Sequence, residues 1–199
     1  MILAGLDTTW YRDVNEFARD TSRAHGFLAA YALWLGLVLL ALLLVFGWLL
    51  ARRHRDAPRQ VATAFLVGLG AILALLANQA IGPAVARTRP CHALHHVEVL
   101  LSCAGDSSFP SDHSMIAGAF AAGLVLLDRR LGLLAVLLAL LVAFARVYTG
   151  VHYPADVAAG LAIGAAIGAT TVLVLRRPAA ATAARLTRTP LRILIADES

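Results

Sequence analysis

Three short polar segments interrupt an otherwise apolar chain: Arg87-Thr88-Arg89-Pro90, then Pro110-Ser111-Asp112-His113, then Arg146 followed by His152 and Asp156. Each lies at the end of a long apolar run. Together they supply three arginines, two hydroxyls, two imidazoles and two carboxylates. Planar guanidinium forks match phosphate oxygens, and an imidazole can accept a phosphoryl group or move a proton. His152 and Asp156 are four residues apart and share a face if helical, and Pro154 suits a first helical turn. A carboxylate on one ring nitrogen fixes the tautomer and leaves the other nitrogen free to attack. Ser111 or Asp112 suits an N-cap, and the free amides of a helix start bind anions. His113, one step further in, can protonate a leaving oxygen. Taken singly, the segments have plainer accounts: snorkelling arginines, a capping acid, a chance histidine. Their shared placement is what favours chemistry.

The elements that must position them are membrane helices. The chain has 199 residues, is 60% hydrophobic and has a mean hydropathy of +0.76. That composition fits one integral membrane domain rather than a soluble one. It predicts an all-α, polytopic membrane helix bundle with about five transmembrane spans: 27–50, 61–85, 114–127, 131–145 and 154–175. The third and fourth reach full length only by including polar site residues, and polar groups at that depth are costly and point to function. All 17 basic residues are Arg. They concentrate after the first, third and fifth spans, which places those loops in the cytoplasm of a multi-pass inner (plasma) membrane protein. The three polar segments then share the extracytoplasmic side. The net charge of +5 is thereby accounted for by topology, and no nucleic-acid partner is expected.

Residues 1–26 read as an interfacial amphipathic helix with Trp10, Val14 and Phe17 on one face. Residues 27–176 form the membrane domain and 177–199 a loose cytoplasmic tail. Cys91 and Cys103 fall in one outer loop, where a disulfide and two free thiols are both open readings. Gly160, Gly164 and Gly168 form a small-residue stripe suited to close helix packing, within the bundle or between the chains of a homodimer. His92, His95, His96 and Glu98 form a weak pattern for metal ligands. A solvated loop is the better reading, and no metal or cofactor is expected.

In order, sidedness and spacing the segments resemble the type-2 phosphatidic acid phosphatase superfamily. That pattern is Lys, six residues, Arg-Pro; Pro-Ser-Gly-His; and Ser-Arg, five residues, His, three residues, Asp. Arg89-Pro90, Pro110-Ser111, His113, Arg146, His152 and Asp156 match it, over roughly residues 60–175. Gly82, Asp112 and Ala145 depart from it. The missing Lys and the Pro-Ser-Asp-His sequence look like the bacitracin-resistance type of undecaprenyl-diphosphatase, and Val14-Asn15-Glu16-Phe17 and Asn78-Gln79 also resemble that branch. The resemblance implies hydrolysis of a polyprenyl diphosphate lipid to the monophosphate, without a metal. His152 would be the nucleophile, Asp156 would orient it, and His113 would be the acid. Arg87, Arg89, Ser111 and Arg146 would hold phosphate, with Arg87 standing in for the Lys. Asp112 would turn away as a cap or support. Another lipid phosphate as substrate, or a non-catalytic lipid-binding protein, are the rival readings.

Overall fold

The computed structural model describes residues 2–195, with side chains from residue 5 onward. Every regular element among them is helical. α1 (Ile2–Asp20) precedes a first span made of α2 (His25–Ala30), a π-turn (Tyr31–Leu35) and α3 (Gly36–Arg52). Then come α4 (Ala57–Val85), the short α5 (Pro90–Ala93), α6 (Asp112–Leu127), α7 (Arg129–Tyr148) and α8 (Pro154–Leu186). Local chemistry sets several ends. Asp128 caps α7 by accepting from the amides of Arg130 and Leu131 at 2.9 and 3.0 Å. Pro154 starts α8. Ala86 closes α4 in the left-handed region at φ 51°.

Four helical stretches are long and apolar enough to cross a membrane: 22–52, 57–93, 129–148 and 154–186. α6, with 16 residues, is about 24 Å long. It lies among α4, α7 and α8 and is their common packing partner. Phe46, Phe65, Ile72, Leu76, Leu137 and Val174 are exposed on the outer faces, as lipid contact requires.

The glycine stripe of α8 is used within the chain. A Cβ on Gly164 would lie 1.9 Å from the Met115 carbonyl oxygen, and one on Gly168 would lie 2.6 Å from that of Ala119. From the α6 side, a Cβ on Gly118 would lie 2.3 Å from the Leu161 carbonyl oxygen. Two backbones therefore touch directly, which side chains of any size forbid.

α1 has two working faces. Leu6, Trp10 and Phe17 are exposed, as an interfacial helix needs, while Asp7, Tyr11, Asn15 and Ala18 are buried against the bundle. The tail departs from expectation. α8 runs through Pro178 to Leu186, a 3₁₀ turn follows at Pro190–Leu194, and the Trp48 indole donates to the Leu194 carbonyl at 3.1 Å. Ala183 and Ile195 pack with Ala51, Val61 and Ala62, so burial holds a segment whose composition reads as loose. Residues 196–199 of the expected tail lie outside the described residues, as does Met1.

Gly164→Ala is expected to cost about 1–3 kcal/mol of stability through overpacking. Gly26→Ala, whose Cβ meets nothing within 4 Å, serves as control. Thermal unfolding in detergent should show a lowered midpoint for the first and an unchanged one for the second.

Candidate active site

His152 lies in the link between α7 and α8 and is 1% exposed. The link turns at Gly150, where a φ of 82° and the 2.3 Å that would separate an added Cβ from the Glu98 carbonyl oxygen both demand glycine. Nδ1 of His152 is 2.8 Å from the Ser108 carbonyl oxygen. A carbonyl only accepts, so the hydrogen-bond pattern assigns the proton to Nδ1 and the lone pair to Nε2. Nε2 then accepts from Arg89 Nη1 at 3.0 Å and from Arg146 Nη2 at 3.2 Å. Burial pushes the imidazole down to about 4, and the Arg146 and Arg89 charges add to this against the opposing pull of Asp156. A neutral ring with its lone pair set between two guanidinium groups has the chemistry to act as a nucleophile toward an anion.

The arginines are fixed by further bonds. Arg89 donates to Asp106 Oδ1 from Nε and Nη2 at 2.9 and 2.8 Å, and to the Val151 carbonyl at 3.2 Å. Arg146 Nη1 reaches the Ala32 carbonyl at 3.4 Å. Arg146 Nε and the Ser111 hydroxyl are buried and have no hydrogen-bond partner among the described residues. Ser111 occupies the N-cap position of α6 without capping it, so its hydroxyl remains a donor at the helix start.

Asp156 is fully buried. Its Oδ1 accepts from Arg87 Nη1 at 2.6 Å, and its Oδ2 accepts from the Ser108 hydroxyl at 2.5 Å and the Tyr153 amide at 2.9 Å. The His152 Nδ1 is 3.8 Å from Oδ2. The ring hydrogen bond thus goes to the Ser108 carbonyl rather than to the carboxylate. His152 precedes α8, so helical spacing does not govern the pair, and Asp156 folds back to cap its own helix start. It holds Ser108 by the side chain while Ser108 holds His152 by the backbone.

Arg87 is where the structure corrects the sequence reading. Its guanidinium is divided between Asp156 and Asp7, the latter at 2.5 Å, and stacks 4.1 Å over the Tyr153 ring. It faces carboxylates and does not join Arg89 and Arg146 at His152. The two side chains have different partners: Asp7 and Asp156 take Arg87, while Asp106, Val151 and His152 take Arg89.

His113 lies in the first turn of α6, and its Nε2 is 3.0 Å from the Leu33 carbonyl. Both Leu33 and Ala32 belong to the π-turn of the first span, where widened helical geometry frees carbonyls for outside partners. One irregular turn therefore holds both His113 and Arg146. Asp112 is the first residue of α6 rather than its cap, and it accepts from the Asn78 side-chain amide. Gly82 opens onto a cavity of about 290 Å³ lined by Asn78, Gln79, Asp106, Ser107 and Asp112.

Cys91 and Cys103 are disulfide-bonded, with Cα atoms 6.3 Å apart. The bond ties the segment that begins with Arg89 to the one carrying Asp106 and Ser108. It also removes two thiolates from the group Cys91, His92 and Cys103, which among the described residues is close enough to share an ion. His92 is 3.2 Å from the Ala104 carbonyl, and the Glu98 backbone pairs with Asn15.

Asp7, Asp106 and Ser108 are site residues that motif reading did not single out. Asp7, Tyr11 and Asn15 recur every fourth residue, a polar stripe opposite Trp10 and Phe17 that could have flagged a second docked face. Asp106 and Ser108 carried no comparable signal.

The fold is similar to the crystal structure of Aquifex aeolicus LpxE, with a TM-score of 0.65 at 24% sequence identity, covering 84% of this chain and 95% of that one. It is also similar to that of the first transmembrane PAP2 type phosphatidylglycerolphosphate phosphatase from Bacillus subtilis, with a TM-score of 0.48 at 20% identity, covering 89% and 98%. No curated protein sequence matches. A profile of the PAP2 superfamily matches residues 62–179, more than half of the chain and all three polar segments. On that match, the chain belongs to the PAP2 superfamily.

Proposed function

We propose that this protein is a membrane lipid phosphate phosphatase working through a phosphohistidine at His152, and that its substrate is a polyprenyl diphosphate such as undecaprenyl diphosphate. The observation that carries the reading is the unprotonated Nε2 of His152 between Arg89 and Arg146. Nε2 attacks the terminal phosphorus, and the bond from phosphorus to the bridging oxygen breaks. His113 gives that oxygen a proton from Nδ1, since its Nε2 is engaged by Leu33. The lipid monophosphate leaves. Water then attacks the phosphohistidine, returning a proton to His113 Nδ1, and the nitrogen–phosphorus bond breaks, releasing inorganic phosphate. Arg89, Arg146 and Ser111 hold the equatorial oxygens, and their fixed charge is the main catalytic contribution.

The choice of a diphosphate rests on the Pro-Ser-Asp-His sequence and on Gly82. The cavity beside Gly82 leaves room next to the Arg89–Asp106 pair for a headgroup larger than one phosphate. A site at one end of the bundle suits a lipid whose tail stays in the bilayer. Arginine-rich ends opposite the site support an extracytoplasmic active site in the inner membrane. The monophosphate formed there would re-enter lipid-carrier use in cell-wall synthesis.

Phosphate release from undecaprenyl diphosphate, phosphatidate and phosphatidylglycerol phosphate, measured side by side in detergent with EDTA, tests this. Fastest turnover of the diphosphate is expected, with His152→Ala lowering it by at least about 10³-fold. Preference for a phosphatidyl substrate would overturn the substrate; full activity of His152→Ala would overturn the mechanism.

The protonation state has its own test. Because the folded His152 titrates near 4 rather than 6.5, its proton is lost well below neutrality and the nucleophile is neutral from pH 5 to 9. Nitrogen-15 NMR of labelled histidines should show one ring fixed as the Nδ1–H form over that range and absent in His152→Ala. A midpoint near 6.5 for that ring would contradict the electrostatics.

A further inference from the structure

We propose that Asp7, on the N-terminal interfacial helix, is a positioning residue of the active site, so that α1 is part of the catalytic apparatus. This rests on His152 being the nucleophile. Asp7 is 7% exposed and both its oxygens are committed. Oδ2 pairs with Arg87 Nη2 at 2.5 Å, and Oδ1 accepts from the amide of Ala155 at 2.8 Å, one residue before Asp156. Arg87 passes the constraint to Asp156 at 2.6 Å, Asp156 to the Ser108 hydroxyl, and the Ser108 carbonyl to His152. The same helix grips the surrounding loops. The Tyr11 hydroxyl donates to the Gly150 carbonyl at 3.1 Å, Asn15 exchanges two hydrogen bonds with the Glu98 backbone, and Arg19 donates to the His96 carbonyl. None of these α1 residues lies in the family-matched segment 62–179.

The test compares Asp7→Asn, Asp7→Glu, Arg87→Gln and the double variant Asp7→Asn/Arg87→Gln in the full chain. It uses whichever substrate is turned over fastest, with the unfolding midpoint recorded for each. Asp7→Asn should lower kcat by about tenfold or more with KM within about threefold. Asp7→Glu should restore part of it. The double variant should be no slower than Arg87→Gln, because Asp7 acts through Arg87. Wild-type kcat in Asp7→Asn, or losses that multiply in the double variant, would overturn the proposal. If Asp7→Asn does not fold, Arg87→Gln and Asp7→Glu decide it: both at wild-type kcat would overturn it. Activity retained by His152→Ala would instead overturn the phosphohistidine reading.

A separate observation lies at the opposite end of the bundle. From Asp156 to Arg176, α8 advances 20 residues, about 30 Å, the thickness of the hydrocarbon layer. There Arg176 and Arg177 meet Arg59, in the first turn of α4, around a cavity of about 350 Å³. The three make no ion pair among the described residues, and the α4 N-terminus adds its positive helix end. The geometry points to a phosphate-binding site of the second leaflet, filled by an anionic phospholipid headgroup.

Thermal unfolding in detergent with phosphatidylglycerol, phosphatidylcholine or inorganic phosphate tests this site. Phosphatidylglycerol should raise the midpoint by about 3 °C or more. Phosphatidylcholine should not, and Arg59→Gln/Arg176→Gln/Arg177→Gln should abolish the rise. The corresponding triple Lys variant keeps the charge that sets topology and should retain a smaller rise. A rise from inorganic phosphate alone, lost in the Gln variant, would make the ligand free phosphate rather than lipid. An equal rise in wild type and the Gln variant would overturn the site.

Discussion

Two guanidinium groups brought within hydrogen-bond reach of one buried imidazole nitrogen is an arrangement that isolated side chains would refuse. Like charges repel, and burial strips each of water. The fold offsets this with carbonyls and carboxylates placed behind the arginines: Asp106 and Val151 for Arg89, and Ala32 for Arg146. On the other side of the ring, Ser108 and Asp156 present oxygen to Nδ1. The imidazole is thus polarised along one axis, with acceptors at one nitrogen and cations at the other. Such a gradient lowers the barrier to attack on an anion because it is in place before the reaction begins.

Much of this support comes from parts of the chain that look like mere anchors. The first span is only lightly packed, yet its π-turn lends two carbonyls to His113 and Arg146. Tyr31 ties that turn to α7 by donating to the Leu138 carbonyl at 3.1 Å. The disulfide closes a loop whose two ends carry opposite partners of one ion pair, Arg89 and Asp106. Constraining such a loop reduces the freedom both must lose to meet.

The helices and the residues around His152 were legible from the sequence for separate reasons. Apolar runs bounded by arginines and prolines announce membrane helices. Arg89, Ser111, Arg146, His152 and Asp156 stand where polar groups are costly, and the structure brings them to one place. Arg87 misled because charge alone does not show which neighbour a side chain meets, and the carboxylate that draws it, Asp7, is 80 residues away. Ser108 was invisible because it acts on His152 through a carbonyl, which every residue has. Pro178 reads as a stop, yet α8 passes through it, since packing of Ala183 and Ile195 outweighs a local penalty. The same packing orders a tail whose composition looked loose.

The glycine seam has a mechanical consequence. With α6 and α8 in backbone contact at Gly160, Gly164 and Gly168, neither helix can slide past or part from the other without overlap or a gap. The N-terminal turns carrying Ser111 and His113 on one helix, and Asp156 on the other, therefore move as a single stiff jaw. On the other side of the site, α1 and the first span are held by side-chain hydrogen bonds instead of backbone contact. The seam is the stiffest part of the frame that holds the starts of α6 and α8 in register.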